Sequence, residues 1–199
     1  MTRRRWLALS LAALLGLAAL PGTFRGAHAQ PRPVAPARYY VAVRGVVDPS
    51  GQPFADDEIQ ALFIDGLRRR ADTTLVAPSW LPSDPARARL ELARHGMRAY
   101  EGYLKVRDLR ETIEPLAGDP TRRRVSVEID VQLVGSTLPD HILKIGGDGS
   151  ASTSVLVGET IDVAAVTRRL RREVTVAAID AALAHTEEKI QQLAMREGR

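Results

Sequence analysis

The chain has 199 residues with 28 Lys and Arg against 24 Asp and Glu, and it has no cysteine. The missing cysteine excludes disulfides, thiol chemistry, cysteine-ligated zinc and lipid attachment through a cysteine. The basic surplus comes from Arg3, Arg4, Arg5 and Arg25, since no acidic residue precedes Ala29; without these four, 24 basic residues face 24 acidic ones. Phosphate binding needs a clustered positive excess, so the remainder of the chain is not expected to bind nucleic acid.

The first 29 residues read as a secretory signal peptide. Arg3 to Arg5 form a positive head, Trp6 to Leu20 an uncharged apolar run, and Pro21 and Gly22 break it. Ala27-His28-Ala29 then supplies the small-x-small pattern for cleavage before Gln30. The apolar run falls short of the roughly 20 residues needed to span a bilayer, so no stable transmembrane segment is expected after cleavage. Thr2 to Leu7 resembles a twin-arginine signal, while the strongly apolar run suits the general secretory route. Both routes stay open.

Residues 30–38 carry Pro31, Pro33 and Pro36 and read as an extended spacer. One domain is expected over 39–195, with 196–199 as a tail. Tyr39 to Val47 places Val41, Val43 and Val47 on alternate positions, a strand pattern. Asp48-Pro49-Ser50-Gly51 has turn chemistry. Asp56 or Asp57 caps a helix that shares Ile59, Leu62, Phe63 and Leu67 on one face. Thr73 to Ala77 is a short strand candidate. Asp84-Pro85 opens a second helix, and Gly96 stops it.

Three strand-like stretches follow. Met97 to Ile113 alternates imperfectly, which predicts a bulge or break near Asp108. Arg124 to Val134 alternates cleanly: Val125, Val127, Ile129, Val131 and Leu133 point to a core, and Ser126, Glu128, Asp130 and Gln132 to water. His141 to Val157 is the third, and Gly146-Gly147-Asp148-Gly149 is expected to interrupt it with a tight turn or bulge. The last element is helical from about Ile161 to Met195. At 1.5 Å per residue it would be roughly 50 Å long, so its C-terminal part is expected to project beyond the body or bend. The fold expected is an α+β two-layer domain of order β-α-β-α-β-β-β-α, with a mixed sheet, helices on one face and a long C-terminal helix.

No constellation of residues is specific for catalysis. His95, His141 and His185 have no metal-ligand spacing, and Asp140 and His141, as strand neighbours, would point to opposite faces. Asp56-Asp57-Glu58 lacks a calcium-loop spacing and suits a helix N-terminus. The glycine run lacks the Lys-Ser/Thr of a phosphate loop. Three arginine clusters, Arg68 to Arg70, Arg122 to Arg124 and Arg168 to Arg172, read as solvated element ends, or as a partner patch if folding joins two of them.

The element order, with Arg98 to Gly102 opening the later strands, resembles a small α/β domain of bacterial envelope proteins. Examples are the amino-terminal domain of the Tol translocation protein and the outer-membrane lipoproteins that activate penicillin-binding proteins. The resemblance covers Tyr39 to Leu193 and implies protein partners in the envelope. No functional residue carries over with it, and the chain departs from the lipoproteins in lacking the lipidated cysteine.

The expected function is therefore that of an exported, non-enzymatic cell-envelope protein acting as a protein-interaction domain, periplasmic or secreted. The alternative is a periplasmic hydrolase or small-molecule-binding protein with a site assembled from distant residues. No catalytic residue, metal or cofactor is assigned. The candidate partner contacts are Trp80 and Leu81 in the proline loop, with Ile190 and Leu193 on the closing helix. Trp80 either pins its loop or anchors a partner; the helix end either packs on its own domain or offers a stripe.

Overall fold

The computed structural model describes residues 37–197. The signal reading, including Ala27, Ala29 and Gln30, lies outside the described residues, as does most of the spacer. Eight elements follow the expected order: β1 Tyr39–Val47, α1 Asp57–Arg68, β2 Thr73–Thr74, α2 Pro85–Arg94, β3 Arg98–Leu116, β4 Asp119–Leu138, β5 Leu143–Gly158 and α3 Val163–Glu197. The sheet runs β2-β1-β3-β4-β5. It is mixed, with β1 parallel to β2 and β3, and antiparallel pairing from β3 to β4 and from β4 to β5.

Local chemistry sets the element ends. Asp48 closes the turn after β1 by accepting bonds from the backbone N–H groups of Ser50 and Gln52 and from the Ser50 hydroxyl. The Ser50 hydroxyl, followed by the Gln52 N–H, holds the Asp48 carboxyl below its ordinary range. Asp56 caps α1 by accepting from the N–H groups of Glu58 and Ile59, which satisfies two donors that the helix leaves unpaired. Asp84 caps α2, with Pro85 in the first turn. Beyond α2, Gly96 turns the chain at φ +60°, a conformation open to glycine. The irregularity expected near Asp108 is a bulge between Val106 and Asp108.

One face of the sheet is the core. Val125, Val127, Ile129, Val131 and Leu133 of β4 are buried together with Leu104 and Val106 of β3. The same cluster takes Ile59, Phe63 and Leu67 from α1, and Leu170, Val174 and Ile179 from α3. A second, smaller cluster joins Tyr100, Ile145 and Ile190 at one end of the sheet. Four ion pairs stitch α1 and the residues flanking it to α3: Arg172 to Glu58, Arg171 to Asp56, Arg69 to Asp180 and Arg70 to Glu187. These pairs engage two arginines from each of two clusters, Arg69 with Arg70 and Arg171 with Arg172. The two exposed pairs, Arg69–Asp180 and Arg172–Glu58, contribute about 0–1 kcal/mol each, and the apolar faces of both helices pack in the same core.

Two expectations need correction. Gly146 to Gly149 is not a turn, because β5 runs through it without interruption and pairs with β4 in unbroken register from Gly146 to Gly158. The glycines are there because α3 crosses the strand at backbone contact. A Cβ on Gly147 would fall 2.1 Å from the Ala182 carbonyl oxygen, and one on Gly149 would fall 2.0 Å from that of Ala178. The closing helix also does not outrun the body it packs on. Its 35 residues span roughly 50 Å, but β4 has 20 residues and extends roughly 65 Å at about 3.3 Å each. Burial along α3 therefore continues to Ile190.

Candidate functional site

A cleft of about 400 Å³ lies between the end of α1, the starts of β1 and β3, and the C-terminal half of α3. Its walls are mainly apolar, from Tyr39, Val41, Leu67, Tyr100, Leu133, Ile145, Leu183 and Ile190, with Thr73 and Thr186 among them. The Tyr39 and Tyr100 rings sit 6.3 Å apart and tilted by 35°. At the rim are Arg69, Arg70, Asp72, Glu187 and Gln191, with Arg70 and Glu187 paired at 3.0 Å.

The cleft exists because the two core clusters do not fully merge. Gly102, between Tyr100 and Leu104 on the core face of β3, contributes no side chain, and it lines the opening. A Cβ there would meet the Val134 carbonyl oxygen at 3.4 Å and Leu133 at 4.0 Å, both ordinary contacts. The space above Gly102 is therefore open rather than occupied by backbone. Sequence reasoning missed this position. The available signal was a glycine inside a strand pattern, which marks a bulge or a close approach by something else.

The predicted contact residues separate. Ile190 is only 9% exposed and belongs to the second core cluster. Leu193 lines a shallow groove of about 290 Å³ beside Leu92, Ala99 and Leu138. Those two share the cleft end of the sheet with Tyr100 and Ile145. Trp80 and Leu81 are half-buried and line neither concavity. The Trp80 ring stacks on His95 at 4.0 Å and 16°, which ties the proline loop to the end of α2.

The histidines stay apart. His95 carries Trp80, and His141 sits 3.3 Å from Glu101, while Asp140 pairs instead with Arg89. His185 Nδ1 accepts from the Asp148 N–H at 3.1 Å. Among the described residues, no three His, Asp or Glu side chains are grouped so as to hold a metal ion. The lining carries Thr73 and Thr186, and of its rim acids Glu187 is paired with Arg70. Such a site can bind and desolvate an apolar group, and the Thr186 hydroxyl donates to the Ala182 carbonyl of its own helix.

No protein-family model matches the chain, and no curated protein matches it. Several solved structures are similar at low identity. A Xanthomonas campestris protein is 12% identical over 83% of this chain and 93% of its own, with a TM-score of 0.43. A minor lipoprotein from Acinetobacter baumannii is 12% identical over 82% and 96%, at 0.33. Rare lipoprotein B from Shewanella oneidensis is 10% identical over 79% and 96%, at 0.34. Two of the three are named as lipoproteins, and none carries the name of the Tol protein or of an activator of penicillin-binding proteins. Likeness at these TM-scores assigns no function to the cleft, and the residues lining it carry the reading that follows.

Proposed function

We propose that this chain is an exported, non-enzymatic interaction domain of the bacterial cell envelope, and that the cleft at Tyr39, Tyr100 and Ile190 takes an apolar side chain of a protein partner. The observation that carries the reading is the cleft itself: mainly apolar walls, a floor left open by Gly102, and a rim that mixes positive and negative side chains. An apolar anchor gains from the walls at roughly 25 cal/mol per Å² buried. A rim of both signs suits a polypeptide flanked by mixed charge better than an anion or a cation alone. Export follows from the order of charge, apolar run and small residues over 1–29, and the predominantly apolar walls favour binding over catalysis.

A second reading has one observation in its favour. A volume of about 400 Å³ also falls in the range of small-molecule sites, about 300–1,000 Å³. Both readings are tested by placing a photo-reactive residue at Gln191 on the exposed rim and irradiating intact cells. A protein adduct that disappears in Gly102→Val supports the interaction reading. A lipid or metabolite adduct would favour the second. Loss of neither adduct nor partner in Gly102→Val, with the fold retained, would remove the cleft from function.

A further inference from the structure

β5 is an edge strand, and its two halves are treated differently. In an antiparallel ladder the N–H and C=O of one residue point to the same side, and successive residues alternate sides. Two side chains of α3, one turn apart, identify the outward set. Lys189 Nζ donates to the Gly146 carbonyl at 2.8 Å, and the Asp148 N–H donates to His185 Nδ1 at 3.1 Å. The pairing of β5 with β4 is unshifted from Gly146 to Gly158. The same alternation therefore turns the backbone groups of Ser150, Ser152, Ser154 and Leu156 outward. These four residues are exposed, and among the described residues no further bond engages their outward groups.

The open half also lacks the devices that keep an edge unpaired. Residues 150–158 carry no charge and no proline, although lysine, proline and bulges are the usual protections. An uncharged strand can meet an identical strand without like charges falling opposite one another. Antiparallel pairing about a two-fold axis at Thr153 sets Ser152 against Ser154 and Ser150 against Leu156 of the other copy. Every hydrogen bond made is then made twice, and the interface closes. The residues of this edge line no part of the cleft, so the inference stands independently of the binding reading.

We propose that the uncapped half of β5 pairs with the same strand of a second copy, joining two five-stranded sheets into one continuous sheet across a two-fold axis. The test uses the exported protein in sedimentation and light scattering. The native chain should be a dimer. Ser152→Pro should be a folded monomer by circular dichroism, because the lost N–H points away from β4 and serves no bond inside the chain. Ser154→Lys should act alike, through charge on the edge, should the proline disturb folding. Thr153 faces its own copy at a non-hydrogen-bonded position, where Cα atoms approach to about 4.5 Å. Thr153→Cys should therefore give a disulfide-linked dimer on mild oxidation, in a chain otherwise free of cysteine. A native chain that stays monomeric at high concentration overturns the proposal, whatever other strand the edge then accepts. So does a dimer that survives both Ser152→Pro and Ser154→Lys.

Discussion

Gly149 and Ala178 lie backbone to backbone, so close that a Cβ on the glycine would fall 2.0 Å from the alanine carbonyl oxygen. Beside them Gly147 and Ala182 repeat the contact at 2.1 Å. Small residues on both partners let α3 settle onto β5 without a side-chain layer between them. This brings the backbone of β5 within reach of His185 and Lys189, which cap its edge one and two turns further along the helix.

Gly149→Ala should lower stability by about 3 kcal/mol, since only a shift of the helix or strand can admit the methyl group. Gly158→Ala is the control, with nothing within 4 Å of its Cβ. It should change stability by less than about 1 kcal/mol. Urea unfolding of both variants checks the pair. Equal midpoints would mean that α3 does not rest on the strand at Gly149.

Thr175 is fully buried, and among the described residues its hydroxyl has no hydrogen-bond partner. Leaving a hydroxyl unsatisfied in an apolar layer costs about 1–3 kcal/mol. Thr175→Val keeps the shape and removes the polar atom, so its melting temperature should rise. A fall in melting temperature would show that the hydroxyl is bonded after all.

Val127 is 1% exposed on the core face of β4, while Glu128 faces solvent. Val127→Asp buries an unpaired carboxyl and should destabilise by about 3 kcal/mol or more. Glu128→Gln should stay within about 0.5 kcal/mol. Chemical denaturation of the two proteins side by side would expose a register error if they shifted alike.

Truncation after Ala184 removes Ile190 from the second core cluster and Glu187 from its pair with Arg70. It also removes Lys189 from the edge of β5. Burial of one isoleucine alone is worth roughly 1.5–3 kcal/mol, so stability should fall before any partner is lost. Calorimetry of the shortened chain decides the matter. An unchanged melting temperature would return the helix end to the role of a free stripe.

The mature chain should begin at Gln30. Intact mass and N-terminal peptides from the exporting host should both place the terminus there, and recovery of the uncut chain from membranes would contradict it.

What the sequence alone determined was whatever depends on neighbours in the chain. The alternation from Val125 to Leu133 marked the core face of β4, because side chains on a strand change face at every residue. Asp56, Asp84 and Gly96 marked helix ends, because each acts on backbone groups within four residues of itself. The glycines of β5 were ambiguous for a physical reason. Glycine serves a turn and a close backbone contact equally well, and the choice rests on Ala178 and Ala182, some thirty residues downstream. The reach of α3 likewise depended on the lengths of β4 and β5 and not on the helix's own pattern. The cleft was invisible because Tyr39, Gly102 and Ile190 belong to three elements distant along the chain. Its volume is a space left between side chains, and only the packing of α1 and α3 across the sheet decides that it stays open.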